Sequence, residues 1–396
     1  MRKNEASNQN FKITLGGWYQ RTTLHLSEIY NLFESGKSHL DLSKETLEKY
    51  RQGLNLTSVT REAGYLEFLK ALTKDGIEIR YYEDGLYVLE TSSKNLKQGQ
   101  EFLKDYFENH FSPAVSYIFS LGAPTPKILA NIKTVHPTVI NSTSKNPDQY
   151  SIDSKTFGAV YQKISSENIV VYKTPSYIFV VSKPGLETKV ADIVEMQVFF
   201  REFKDQLEKY LNIHRTLWEE ISNIKERKSV KGDEVEILRG KLDSYQKTIS
   251  LIGNRINQMG TYVRTRSSIA KGMEIEEHLT KLFQFKFEVL SDTLDYIKEL
   301  WKMTGDYLAS AIQNIVEIKN QSTARGIQSL QLITSLGVIS GIIGYLSRNE
   351  LPKITSLGAF YFLIIVAATW LVNYLITKIY TSKKYKIRFG ERVSDI

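Results

Sequence analysis

Hydrophobic positions change period repeatedly between Phe11 and about Gly185, then settle into a helical rhythm. In the first part, helices are expected over 26–35, 44–51, 60–74 and 95–109, the third opened by Thr60 as its N-cap. Alternating or β-branched runs predict strands at 77–82, 86–91, 115–120, 169–174 and 177–182. Glu83-Asp84-Gly85 and Thr174-Pro175-Ser176 are turn signals between neighbouring strands. Together these predict a mixed α/β domain over residues 11–185, long enough for one hydrophobic core. Residues 1–10 are polar and read as a disordered tail.

Beyond Pro184-Gly185 there is no proline before Pro352. Ile193, Met196, Phe200, Phe203, Leu207, Tyr210, His214, Leu217, Ile221 and Ile224 recur at strict 3,4 spacing, the seam of a coiled coil. After a polar break at 228–234, the spacing resumes through Val235, Leu238, Leu242, Tyr245, Ile249, Ile252, Ile256, Met259 and Val263. Residues 186–272 therefore read as an antiparallel helical hairpin, with His214 as a core or rim residue of its seam. The pattern breaks again around 264–272. A stalk helix then carries Leu290, Leu294, Ile297, Trp301, Thr304, Leu308, Ile315 and Ile318 on one face. If continuous over 273–346 it extends about 110 Å, and its stripe must pack on neighbours or on copies of itself.

The stalk runs into the first of two uncharged apolar stretches, 326–347 and 354–377, separated only by the loop 348–353. A bilayer core of about 30 Å takes roughly 20 helical residues to cross, so both stretches read as membrane spans forming a tight hairpin. The tail 378–396 is basic, with Lys383, Lys384, Lys386 and Arg388 close to the second span. Positive charge beside a span end places that end in the cytoplasm, so two crossings put both termini there. The polar N-terminus lacks an apolar signal segment, and the expected location is the plasma membrane.

Composition narrows the chemistry. There are 52 Lys+Arg against 44 Asp+Glu, a formal charge of +8. The last fourteen residues account for +3 of this (five bases, two acids), and no aromatic-interleaved basic motif is present, so nucleic acid is not an expected partner. Zero cysteines exclude disulfides, thiolate metal sites and a cysteine nucleophile. The six histidines never fall at i,i+4 with a glutamate as in a zinc helix. Gly36-Lys37-Ser38 mimics the end of a phosphate-binding loop, but Asn31 stands where its first glycine belongs. No catalytic constellation emerges, and the chain is not expected to be an enzyme.

The order of parts, a mixed domain, a helical hairpin, a long stalk, two spans and a basic tail, resembles the CorA family of divalent-cation channels across nearly the whole chain. At residue level the resemblance centres on the exit of the first span. The family reads Gly-Ile-Tyr-Gly-Met-Asn before a short loop containing Met-Pro; this chain reads GIIGYLSRNELP over 341–352. Gly341, Ile342 and Gly344 match, Leu351-Pro352 is close, and Asn320 falls at the offset of an asparagine near the cytoplasmic entrance of the pore. The resemblance implies a homopentamer whose first spans surround an axial pore, with Mg²⁺, and Co²⁺ or Ni²⁺ as alternatives, as transported or regulatory ion and no tightly bound cofactor.

On that reading Asn320, Thr323, Thr334, Gly337, Gly341 and Gly344, which with Ile327 and Leu330 recur at 3- or 4-residue intervals, form the pore-lining face. Gly344, Tyr345, Leu346, Asn349 and Glu350 form the mouth. The departure is at Tyr345-Leu346, where the family has Met-Asn. The family's asparagine amides hold a hydrated magnesium ion; leucine offers no acceptor, and Asn349 is the nearest replacement. A second reading follows from this loss: a non-conducting, membrane-anchored coiled-coil scaffold or sensor. Lipid, further copies of the chain and divalent ions are the expected partners.

Overall fold

The computed structural model describes residues 11–19, 26–64, 66–119, 138–227, 229–272, 277–346, 356–382 and 384–386. It divides into two compact units, Met1–Ile213 with Leu251–Glu299, and His214–Ser250 with Leu300–Ile396.

The first unit is built on a nine-stranded sheet. Its strands are β1 (Phe11–Trp18), β2 (Leu56–Glu62), β3 (Phe68–Thr73), β4 (Glu78–Tyr82), β5 (Leu86–Ser93), β6 (Thr138–Thr143), β7 (Gln162–Ser165), β8 (Ile169–Lys173) and β9 (Tyr177–Ser182). The order is β2-β3-β4-β5-β1-β6-β9-β8-β7, with β6 and β9 parallel and the other neighbours antiparallel. Short helices follow the same numbering: α1 (Leu26–Ser35), α2 (Lys44–Leu54), α3 (Leu96–Tyr106), α4 (Ser112–Phe119) and α5 (Ser154–Phe157). A π-turn at Phe107–Phe111 joins α3 to α4.

Side chains alternate across a strand, so β1 supplies both faces of the sheet. Ile13 and Leu15 join a core made with Leu32 and Phe33 of α1, Leu47 of α2, Leu103 of α3 and Val115 of α4. Trp18, on the other face, stacks on Phe203 at 5.5 Å and packs against Phe199 at 6.0 Å. Both phenylalanines belong to the long helix α6 (Glu187–Lys225). Gly16 allows this approach, because a Cβ there would sit 2.8 Å from Val198 and 2.9 Å from the Tyr87 carbonyl. Two further helices, α7 (Glu234–Gly272) and α8 (Glu277–Leu346), contribute their 251–272 and 277–299 portions to this unit.

The expected mixed α/β sheet domain followed by long helices is present, with local corrections. Residues 60–74 are not a helix opened by Thr60. They form the β2–β3 hairpin, with Thr60 opposite Lys70 and Arg61 opposite Leu69. The helix-forming composition loses to ladder bonds on both sides of β3, whose burial alternates along the strand. The strand expected at 115–120 is not found among its described residues, 115–119. Ala114, Val115 and Ile118 are buried at helical spacing in α4, and a short apolar run fits either element by pattern alone. β1, β6 and β7 also carry no expectation in the sequence. The seam does not break at 264–272 either: α7 continues through it with Arg266 and Ala270 buried.

The second unit joins the C-terminal part of α6, the start of α7, α8 from Leu300, and α9 (Ser356–Ser382). Trp218 stacks on Tyr307 at 4.4 Å, and Lys225 lies over the same ring at 4.1 Å. Trp301, Leu308, Ala311, Ile315 and Ile318 give α8 a buried stripe. Glu220 accepts from Lys241 at 2.5 Å and from Tyr245, which ties α6 to α7. Lys319 pairs with Glu236. Two short strands, β10 (Ser229–Lys231) and β11 (Lys384–Lys386), pair antiparallel with Val230 opposite Tyr385.

Candidate ion pathway

Along α8 the buried stripe ends at Ile318, and Asn320 and Thr323 are exposed. From there the apolar side chains themselves face outward. Leu332 is 65% exposed, as are Ile327, Val338 and Ile339 by about half. α9 shows the same surface, with Trp370 69% exposed beside Phe360, Leu363, Ile365 and Tyr374. Neither 326–347 nor 354–377 carries a charge. Among the described residues no helix is long and apolar enough to cross a membrane; residues 347–355, which include the ends of both uncharged runs, lie outside that description.

Three threonine hydroxyls on this surface are satisfied within their own helix. Thr323 donates to the Lys319 carbonyl at 3.0 Å, Thr334 to that of Leu330 at 2.8 Å, and Thr369 to that of Ile365 at 2.8 Å. Such i−4 bonds let a hydroxyl sit in an apolar setting without an unmade hydrogen bond. Gly337 and Gly341 border open space: a Cβ at either position would meet nothing within 4 Å. Their missing side chains therefore serve no packing inside the described chain.

Of the residues singled out in the sequence, Asn320, Thr323, Thr334, Gly337 and Gly341 follow one another along α8. Thr334 also lines a groove of about 370 Å³ with Leu330, Ile333 and, from α9, Thr369 and Asn373. Gly344, Tyr345 and Leu346 complete the last turn of α8. Asn349, Glu350, Lys383 and Arg388 lie outside the described residues. Lys384 and Lys386 are in β11, paired in register with Lys231 and Ser229. This pairing of the basic tail with the tip of the helical hairpin had no signal in the sequence beyond the β-branched Val230.

Electrostatic detail outside the uncharged runs belongs to packing. Lys241 and Tyr245 bonding to Glu220 lower its carboxyl below the usual range, and Lys319 does the same for Glu236. His214 takes its expected seam position, its ring 6.0 Å from Trp218 and 6.2 Å from Trp301. Burial, with Arg215 beside it, holds its imidazole below the ordinary value. Gly36-Lys37-Ser38 is a helix end: Gly36, at φ +62°, caps α1, and Ser38 donates to Glu28 at 2.6 Å. Among the described residues no three His, Asp or Glu side chains are grouped to hold a metal ion.

No protein-family model matches this chain, and no curated protein matches its sequence. Among solved structures it is similar to the complete structure of the CorA magnesium transporter from Methanocaldococcus jannaschii, at 11% identity and a TM-score of 0.31. That match covers 62% of this chain and 88% of the other.

Proposed function

We propose that this protein is a homo-oligomeric membrane channel or transporter for divalent cations, Mg²⁺ foremost. The observation that carries the reading is the surface of α8 and α9. Two uncharged helical runs, 326–346 of α8 and 356–377 of α9, expose apolar side chains to their surroundings, and α8 bears a stripe of Asn320, Thr323, Thr334, Gly337 and Gly341. Exposed apolar area on this scale calls for lipid or further protein to cover it. Lipid covers the outward faces in this reading, and 326–347 and 354–377 both cross the bilayer. Glycines that pack on nothing within one chain allow close approach between chains. Five copies then set their stripes around a central axis, with Gly344, Tyr345, Leu346, Asn349 and Glu350 at the outer mouth. The basic tail keeps both termini in the cytoplasm. No cofactor is required, and the activity is transport rather than catalysis.

A second reading has its own observation. Leu346 stands at the signature asparagine and supplies no ligand, which favours a non-conducting, membrane-anchored scaffold or sensor. The mass of the detergent-solubilised complex separates the two: a pentamer supports the channel, whereas a monomer or dimer supports the scaffold.

A further inference from the structure

Within the first unit, a cavity of about 430 Å³ is lined by β7, β8, β9, α6 and the early turns of α8. It gathers four cations, Lys173, Arg201, Lys204 and Lys286, against one lining carboxylate, Asp205. Lys204 also reaches Glu208 at 3.5 Å on the exposed side of α6. Lys286 is different. Its Nζ is buried and, the neighbouring Lys173 amine apart, has no hydrogen-bond partner among the described residues, lying over the rings of Phe200 at 5.0 Å and Phe283 at 6.0 Å. Ring faces attract a cation but do not replace its lost hydration. Burial and the neighbouring Lys173 ammonium bring the Lys286 amine down to about 7.

A second observation is independent of charge. Gln197 lines the same cavity and is 1% exposed, yet among the described residues neither its amide nitrogen nor its amide oxygen has a hydrogen-bond partner. Buried amides are almost always paired, so an open donor and acceptor in a cavity wall mark a place for a polar ligand. With every group ionised the lining carries four positive charges and one negative, a surplus of three. A single carboxylate would leave most of that surplus unbalanced, whereas a phosphate chain suits lysine and arginine together. Tyr161 and Phe285 line the cavity too, 67% and 62% exposed, and present aromatic surface to a flat ring.

We propose that this cavity binds a nucleoside phosphate, with Lys173, Arg201, Lys204 and Lys286 taking the phosphates, Gln197 making the buried amide contact, and Tyr161 and Phe285 flanking the ring. The inference does not depend on transport, since every residue it uses lies in the first unit.

Calorimetric titration of the full-length protein in detergent, with ADP in metal-free buffer, tests it. Saturable binding of one ADP per chain is expected, with adenosine and inorganic phosphate each at least tenfold weaker. Lys286→Met is expected to weaken ADP at least tenfold, and Gln197→Leu several-fold, while Lys97→Met on α3 leaves it unchanged. Without ligand the Lys286→Met protein is expected to melt no lower than the parent, because the change removes a buried ammonium beside another cation. Absence of saturable ADP binding, or binding indifferent to Lys286→Met, would overturn the proposal. Inorganic phosphate binding as tightly as ADP would overturn the nucleoside assignment. A lower melting point for Lys286→Met would overturn the premise that the ammonium is held without an anionic partner.

Discussion

Arg266 grips Asp84 with both arms of its guanidinium, Nε to Oδ2 at 2.8 Å and Nη2 to Oδ1 at 3.0 Å, and both side chains are buried. The guanidinium also lies 4.6 Å from the centre of the Tyr82 ring. Tyr82 in turn donates to Glu195 of α6 at 2.6 Å, and Arg80 pairs with the same carboxylate at 2.7 Å. The turn between β4 and β5 is thus fastened to α7 by one buried pair, and β4 to α6 by another. Breaking a buried pair from one side leaves an uncompensated charge, a cost of about 3–5 kcal/mol. Arg266→Met and Asp84→Leu are each expected to destabilise the protein by about that much. The double variant is expected to recover a large part of the loss. Chemical denaturation of the three variants checks this, and a double variant as unstable as the sum of the singles would contradict it.

The helical half of this architecture is legible in the sequence because it repeats. The buried seam through Ile193, Phe203, Tyr210 and Ile221, and the stripe through Ile297, Trp301 and Leu308, follow a spacing that no strand shares. The sheet was harder to read. β3 exists because β2 and β4 pair with it across two consecutive hairpins, and the helix-like run 60–74 gives no hint of that pairing. Arg266 likewise reads as a break in the seam until Asp84, 182 residues earlier, is brought beside it. The stripe of α8 was legible as spacing. The cavity around Lys286 and Gln197 was not, because its residues come from separate strands and helices.

His214 makes stability sensitive to mild acid. Burial, together with the Arg215 charge, holds its pKa below the unfolded value of about 6.5. Between those two values the unfolded chain binds the proton more readily, so stability falls as pH drops from about 7 through that window. Above it, both states carry a neutral imidazole and the group contributes no slope. His214→Gln is expected to flatten this part of the stability profile, measured by thermal melting between pH 7.5 and 5. An unchanged slope would mean that the acid sensitivity lies elsewhere.

At the C-terminal end of α8, Tyr345 and Leu346 stand where the family that the sequence resembles has methionine and asparagine. In the proposed channel a ring of leucines would give a hydrated Mg²⁺ no acceptor, and each outer-shell hydrogen bond is worth about 1 kcal/mol. Tyr345→Met with Leu346→Asn is therefore expected to raise Mg²⁺ uptake by tenfold or more in cells deficient in magnesium transport. If uptake does not rise, Asn349→Ala in the parent chain identifies the filter: loss of transport assigns that role to Asn349, and unchanged transport removes it.

The most direct test of the account is Mg²⁺ flux through the purified protein. In sealed liposomes containing a magnesium-sensitive dye and held at an inside-negative potential, the reconstituted full-length chain is expected to admit Mg²⁺ at a rate proportional to protein content. That rate should lie well above the leak of protein-free vesicles. Vesicles that contain inserted, oligomeric protein yet fill no faster than protein-free ones would contradict the channel and leave the scaffold reading in its place.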